Sequence, residues 1–130
     1  MFVDASAIVA ILVREPGHEE LIARLEEAVR PLTSALAVFE AVTAVVRLKK
    51  LDVARARVLV ERFLDICEVE IAAVTDASGG LALEAFDNYG KGRGHPAQLN
   101  LGDCFAYAMA KQHGVALLYK GDDFSATDLA

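Results

Sequence analysis

The chain has 130 residues, 55% of them hydrophobic, a formal net charge of −6 and two cysteines. That length and apolar content fit one globular domain spanning residues 1–130, with a real core and no disorder signature. The acidic balance argues against a broad basic nucleic-acid surface, and apolar runs such as Ala7 to Val13 are far too short to cross a bilayer.

Met1-Phe2-Val3-Asp4 has no basic segment and places an acid at position four, unlike a secretory leader. Cys67 and Cys104 lie far apart in apolar segments with no histidine cluster nearby. They read as unpaired buried thiols in a reducing compartment rather than a disulfide or a zinc site. The cytoplasm is the expected location.

Phe2-Val3 reads as a short buried strand ended by Asp4, followed by a helix that begins near Asp4 or Ser6 and runs to Val13. Asp4 can serve there as an N-cap. Pro16-Gly17 interrupts, and Glu19 and Glu20 open an amphipathic helix with Leu21, Leu25 and Ala28 on one face, closed by Pro31. Leu32-Thr33-Ser34 reads as a second strand. Ala35 to Lys50 follows as a strong, very apolar helix with Glu40 well inside it, where a carboxylate normally needs a partner or a metal. Arg47, Lys49 and Lys50 at its end suit the helix dipole and read as a solvated terminus.

Asp52 caps a helix reaching Cys67, with Val53, Ala56, Val60 and Phe63 at helical spacing. Val69 and Ile71 alternate with Glu68 and Glu70, which predicts a strand with one wet face. Thr75-Asp76 starts a helix ending at Tyr89, its first turn weakened by Gly79-Gly80. Gly90 to Pro96 is a loop offering Lys91, Arg93 and His95; it lacks the spacing and final Lys-Ser/Thr of a Walker loop. Asn100 to Gly114 is a helix apolar almost all round, the mark of burial, with Asp103 in its first turn. Val115 to Tyr119 reads as a central parallel strand, and Lys120-Gly121-Asp122-Asp123-Phe124 leaves it.

Short apolar strands alternating with helices predict an α/β domain: a mostly parallel central sheet of four to five short strands flanked by helices. Ligand sites in such sheets lie beyond the carboxyl ends of the strands. Asp4 and Asp122/Asp123 follow strands, and Glu40 and Asp103 sit on helices able to face the same edge. Like charges about 4 Å apart repel by roughly 4 kcal/mol at an effective dielectric near 20, so converging acids recruit a cation or shift their pKa values. Oxygen donors without His or Cys favour a hard ion, Mg²⁺ or Mn²⁺. Such an ion suits phosphodiester hydrolysis.

The opening Phe2-Val3-Asp4-Ala5-Ser6-Ala7, Glu40 in its apolar helix and Asn100-Leu101-Gly102-Asp103-Cys104-Phe105-Ala106-Tyr107 together resemble a PIN domain. More narrowly they resemble VapC, the toxin half of VapBC toxin–antitoxin pairs. Tyr89-Gly90-Lys91-Gly92 and the ending from Leu117 to Asp128 fit the same group, so the resemblance covers essentially the whole chain. It implies a PIN-like three-layer fold and a Mg²⁺- or Mn²⁺-dependent endoribonuclease of a type II toxin–antitoxin system. It implies metal-binding and catalytic roles for Asp4, Glu40, Asp103 and Asp123, with Asp122 the alternative fourth acid and Ser6 and Asn100 in support. It also implies a VapB-like antitoxin, a homodimer within a larger toxin–antitoxin assembly, and an RNA substrate such as tRNA or rRNA. Lys91, Arg93 and Lys120 are candidate phosphate contacts.

Two other readings stay open at this level. One is a catalytically inactive PIN-like module that only binds antitoxin or RNA; the full set of motif acids counts against it. The other is different hard-metal phosphoryl chemistry, as in a receiver-like phosphoacceptor. A receiver wants paired acids near the first strand and a Lys after the last, whereas Asp4 stands alone and Lys120 is followed by two further acids.

Overall fold

The computed structural model describes residues 1–130. Its elements in chain order are β1 (Phe2–Val3), α1 (Ala5–Leu12), α2 (His18–Glu26), β2 (Leu32–Ser34), α3 (Ala35–Lys49), α4 (Val53–Ile66), β3 (Glu70–Ala72), α5 (Asp76–Tyr89), α6 (Leu101–His113) and β4 (Leu117–Leu118). The four strands form one sheet in the order β3-β2-β1-β4, with every pair parallel. Phe2 aligns with Leu32 on one side and Leu117 on the other. This is the α/β architecture that alternating strand and helix signals predict.

The strands are short because each ends where a helix cap begins. Asp4, Ser34, Asp52, Thr75 and Asn100 cap α1, α3, α4, α5 and α6, each side chain accepting a backbone N–H of the first turn; each such cap contributes about 1 kcal/mol. Gly79-Gly80 does not open α5, because Ser78 holds its first turn in place. Ser78 and Thr75 form a reciprocal capping box, and the fully buried Ser78 hydroxyl also donates to Gln112 Oε1 on α6 at 2.6 Å. That bond and the packing of α5 on α6 outweigh the propensity penalty of two glycines, about 1 kcal/mol each.

Two expectations need correction. Val115 to Tyr119 does not make a central strand: β4 is the two-residue strand Leu117–Leu118 at the sheet edge, paired with β1 alone. Its run is apolar because Leu117 and Leu118 are buried under α6 and the chain end, not because strands lie on both sides. The third strand also lacks a clean wet face. Val69 is buried but precedes β3, and Ile71 within β3 is 54% exposed, since β3 is the opposite edge and only part of it is covered. The central strands are β1 and β2.

Thirty buried apolar residues form one core cluster around β1, with Phe2, Ile8, Leu99, Met109, Leu118 and Phe124 among its largest members. A fully buried side chain of this size contributes roughly 1.5–3 kcal/mol. The core brackets the carboxyl ends of β1 and β4, and so fixes the residues that follow them.

Candidate active site

Central strand β1 delivers Asp4 into the interior, where it is 5% exposed. Asp4 does act as the N-cap of α1: its Oδ2 accepts from the Ser6 backbone N–H at 3.0 Å and from Ser6 Oγ at 2.5 Å. The Lys120 backbone N–H donates to the same Ser6 hydroxyl at 3.0 Å. Ser6 therefore ties Asp4 to the chain leaving β4.

Asp103 is placed by a capping box at the head of α6. Asn100 Oδ1 accepts the Asp103 N–H at 2.9 Å, and Asp103 Oδ2 accepts the Asn100 N–H at 3.1 Å. Asp103 is 8% exposed. Glu40 reaches the same place from α3. A Cβ built at Gly102 would lie 2.1 Å from Glu40 Oε2, so the lack of a side chain at 102 is what lets this carboxylate lie against the first turn of α6.

The charges betray the convergence. Burial raises Glu40 to about 7, and the charges of Asp4 and Asp103 add to the shift. Burial also raises Asp103 to about 6; the Asn100 N–H opposes this, and the charges of Asp123 and Asp4 reinforce it. Asp4 is raised by burial against its Ser6 contacts, with Asp123 again adding repulsion. Asp123 is itself exposed, on the loop after β4. Asp122 contributes to none of these shifts, and its carbonyl instead closes a turn with Ser125.

Asp4 just after β1, Glu40 on α3 and Asp103 on α6 thus influence one another at the carboxyl edge of the sheet, and Asp123 on the last loop acts on Asp4 and Asp103. The donor set is hard oxygen throughout, with no thiol or imidazole, and suits a hard divalent cation. The space left by Gly102 for Glu40 fits the same purpose. No three His, Cys, Asp or Glu side chains already stand close enough to form a coordination sphere.

The basic residues divide. Lys120 borders a groove of about 550 Å³ together with Ser6, Glu40 and Arg47. Lys91 is exposed on a different, apolar cavity of about 740 Å³ lined by Leu83, Phe86, Leu101 and Phe105. Arg93 pairs with Asp87 at 2.9 Å and lies over the Phe86 ring, so it is engaged on α5 and not beside the acids.

Two contributors escaped the sequence. Arg47 reads as a solvated helix end yet lines the groove with Glu40. Gly102 carried a usable signal: glycine in a helix otherwise rich in good helix formers costs about 1 kcal/mol relative to Ala, which asks for a close approach to explain it.

Comparison with known proteins identifies the family. The PIN domain family profile matches residues 1–129. A VapC ribonuclease of Rhizobium meliloti (strain 1021) is 50% identical, with 98% of each chain covered. Ribonuclease VapC42 of Mycobacterium tuberculosis (strain ATCC 25618 / H37Rv) is 40% identical over 129 residues, covering 99% of this chain and 96% of its own. Among solved structures, the Mycobacterium tuberculosis toxin VapC20, which cleaves the sarcin–ricin loop, superposes with a TM-score of 0.76 at 20% identity. That match covers 99% of this chain and 95% of VapC20, and it shows the shared fold. With a PIN domain match over residues 1–129 and full-length likeness to VapC ribonucleases, the chain belongs to the PIN domain family, in its VapC branch.

Proposed function

We propose that this protein is a Mg²⁺- or Mn²⁺-dependent endoribonuclease and the toxin of a type II toxin–antitoxin pair. It is read as one domain over residues 1–130. The observation that carries the chemistry is the convergence of the buried Asp4 and Asp103 with Glu40, which lies against Gly102 in the first turn of the helix that carries Asp103; burial raises all three carboxylates.

Asp4 and Asp103 would hold the cation, each held in turn by a local donor, Ser6 for Asp4 and Asn100 for Asp103. Asp123 is the fourth acid and adds negative charge from the solvent side. When bound, Mg²⁺ or Mn²⁺ supplies Lewis acidity, making water a nucleophile at neutral pH and offsetting charge on a phosphoryl oxygen. Glu40, lying against Gly102 at the head of α6, would complete the site or orient the attacking water and accept its proton at Oε2. Lys120, Arg47 and, further off, Lys91 contact RNA phosphates, positioning the strand without reading bases. Arg93 joins them only by leaving Asp87.

A VapB-like antitoxin is the expected inhibitor, and tRNA or rRNA the expected class of target. Exposed Leu83, Phe86 and Leu101 around the apolar cavity support a partner-covered surface and hence a homodimer within a toxin–antitoxin assembly. No helix is long and apolar enough to cross a membrane, and the cytoplasm is the compartment proposed.

The test is cleavage of a panel of tRNAs and rRNA fragments by antitoxin-free protein in Mg²⁺, Mn²⁺ or EDTA. Asp4→Ala and Asp103→Ala are run in parallel. Cutting that stops with EDTA and in both variants is the expected result. Cutting that persists in folded variants refutes the assignment, and no cutting by folded, metal-loaded wild type favours a module that only binds.

A further inference from the structure

Of the four acids, Asp123 alone lies neither within a helix nor at a helix cap. It lies in the run of turns from Gly121 to Ala130, whose hydrogen bonds are local: Ser125 N–H to the Asp122 carbonyl, Thr127 N–H and Oγ1 to the Phe124 carbonyl, and Leu129 N–H to Thr127 Oγ1. Turns of this kind set a shape but not a position. Position comes from where the run is pinned to the rest of the molecule.

There are three pins. At the start, the Lys120 N–H donates to Ser6 Oγ. In the middle, Phe124 is 1% exposed, with its ring 5.1 Å from that of Tyr119. At the end, Asp128 gathers three donors from two helices. Tyr107 Oη donates to Oδ1 at 2.7 Å, Lys111 Nζ to Oδ2 at 2.5 Å, and Tyr89 Oη to Oδ1 more distantly at 3.4 Å.

Tyr107 and Lys111 stand one turn apart on α6, the helix whose first turn carries Asp103. We propose that Asp128 is a positioning residue: by clamping the chain end to α6 it holds Asp123 in register with Asp103 across the metal site. The proposal rests on the metal-dependent reading above.

The electrostatics agree with a clamp that is made and kept. Lys111, then Tyr107, holds the Asp128 carboxyl below the usual range. Burial and the neighbouring Asp128 push the Tyr107 phenol up, so the hydroxyl stays a donor. The Lys111–Asp128 pair is also substantially exposed, with side chains 39% and 49% accessible. Pairs of this kind add little to stability. A residue that stabilises weakly while spanning the chain end and the site helix is placed to control geometry.

That contrast makes the role testable. Asp128→Ala, Asp128→Asn and Tyr107→Phe are compared with wild type, each in the native and Asp123→Asn backgrounds. Melting temperature without metal and apparent affinity for Mn²⁺ by calorimetry are the readouts, with RNA-fragment cleavage as a third. The expected result is a small loss in melting temperature and about a tenfold loss of Mn²⁺ affinity for Asp128→Ala, the low end of what supporting contacts contribute to metal ligands.

Asp128→Asn, which still accepts from Tyr107, recovers part of that affinity. In the Asp123→Asn background the Asp128→Ala loss disappears, because the group it positions is gone. An equal loss in both backgrounds overturns the proposal in favour of a structural role, and so does an unchanged affinity in the native background. Failure of the wild type itself to bind Mn²⁺ overturns the metal reading, and the proposal with it.

Discussion

At the residue scale the site depends on one absence, the missing side chain at position 102. A Cβ there would overlap Glu40 Oε2 and displace the carboxylate, which is the far end of a flexible side chain and can swing away. Gly102→Ala is therefore expected to keep the fold, with an unchanged or higher melting temperature, since Ala is the better helix former by up to about 1 kcal/mol. Mn²⁺ affinity should fall about tenfold and cleavage with it; a fully active Gly102→Ala protein would refute Glu40's part in the site. Asp103→Asn separates stability from function in a different way. Asn keeps an oxygen for the Asn100 N–H but removes a buried charge that faces Asp4, Glu40 and Asp123. Without metal, Asp103→Asn should melt above wild type at pH 7.5, and its melting point should no longer rise with Mn²⁺. A variant that melts lower without metal and still responds to the ion would show that Asp103 is structural. Asp4 and Asp103 were both visible in the sequence, because an acid at the head of a buried helix stands out. The partner of Glu40 was not: a glycine at 102 signals a close approach in the helix, but nothing in the spacing says that the approaching side chain comes from α3.

At the scale of the element, the helices were legible because their caps are written locally. Thr75 with Ser78 and Asn100 with Asp103 close reciprocal boxes within four residues, and each announces a helix start without reference to the rest of the chain. Strand order is not local information. An apolar run such as Leu117-Leu118 reads the same whether neighbours pair on both sides or whether a helix and the chain end cover an edge. That is why β4 looked central. The dual use of caps makes a prediction at this scale. Asn100→Ala removes the acceptor for the Asp103 N–H, at a cost of about 1 kcal/mol in unfolding free energy by urea titration. It also loosens Asp103, so cleavage should fall more than the modest stability loss explains. Activity in proportion to the folded fraction would reduce Asn100 to a cap and nothing more.

For the whole molecule, placing four acids at one sheet edge opposes folding unless a cation is present. The sign follows from the shifts. In the folded protein Glu40 titrates at about 7 and Asp103 at about 6, whereas in the unfolded chain both return to ordinary carboxylate values of about 4. Between these limits the folded state binds more protons than the unfolded state, so stability falls as pH rises. The contribution is complete below about pH 4, shrinks through pH 5 and 6, and is gone once pH passes about 7, where both groups must ionise in place. Asp128, with its lowered pKa, acts in the opposite sense at lower pH, weakly because its pair with Lys111 is exposed. Metal-free protein in EDTA is therefore expected to be more stable at pH 5.5 than at pH 7.5, measured by urea unfolding. Saturating Mn²⁺ should reverse that order, because a bound cation favours the ionised acids and adds stability through its own affinity for the folded state. Asp103→Asn should make the metal-free profile shallower, with Glu40 still raised by burial, and abolish the reversal. A wild-type profile that is flat from pH 5.5 to 7.5, with and without Mn²⁺, would mean that burial and repulsion do not raise these carboxylates and that they share no ion.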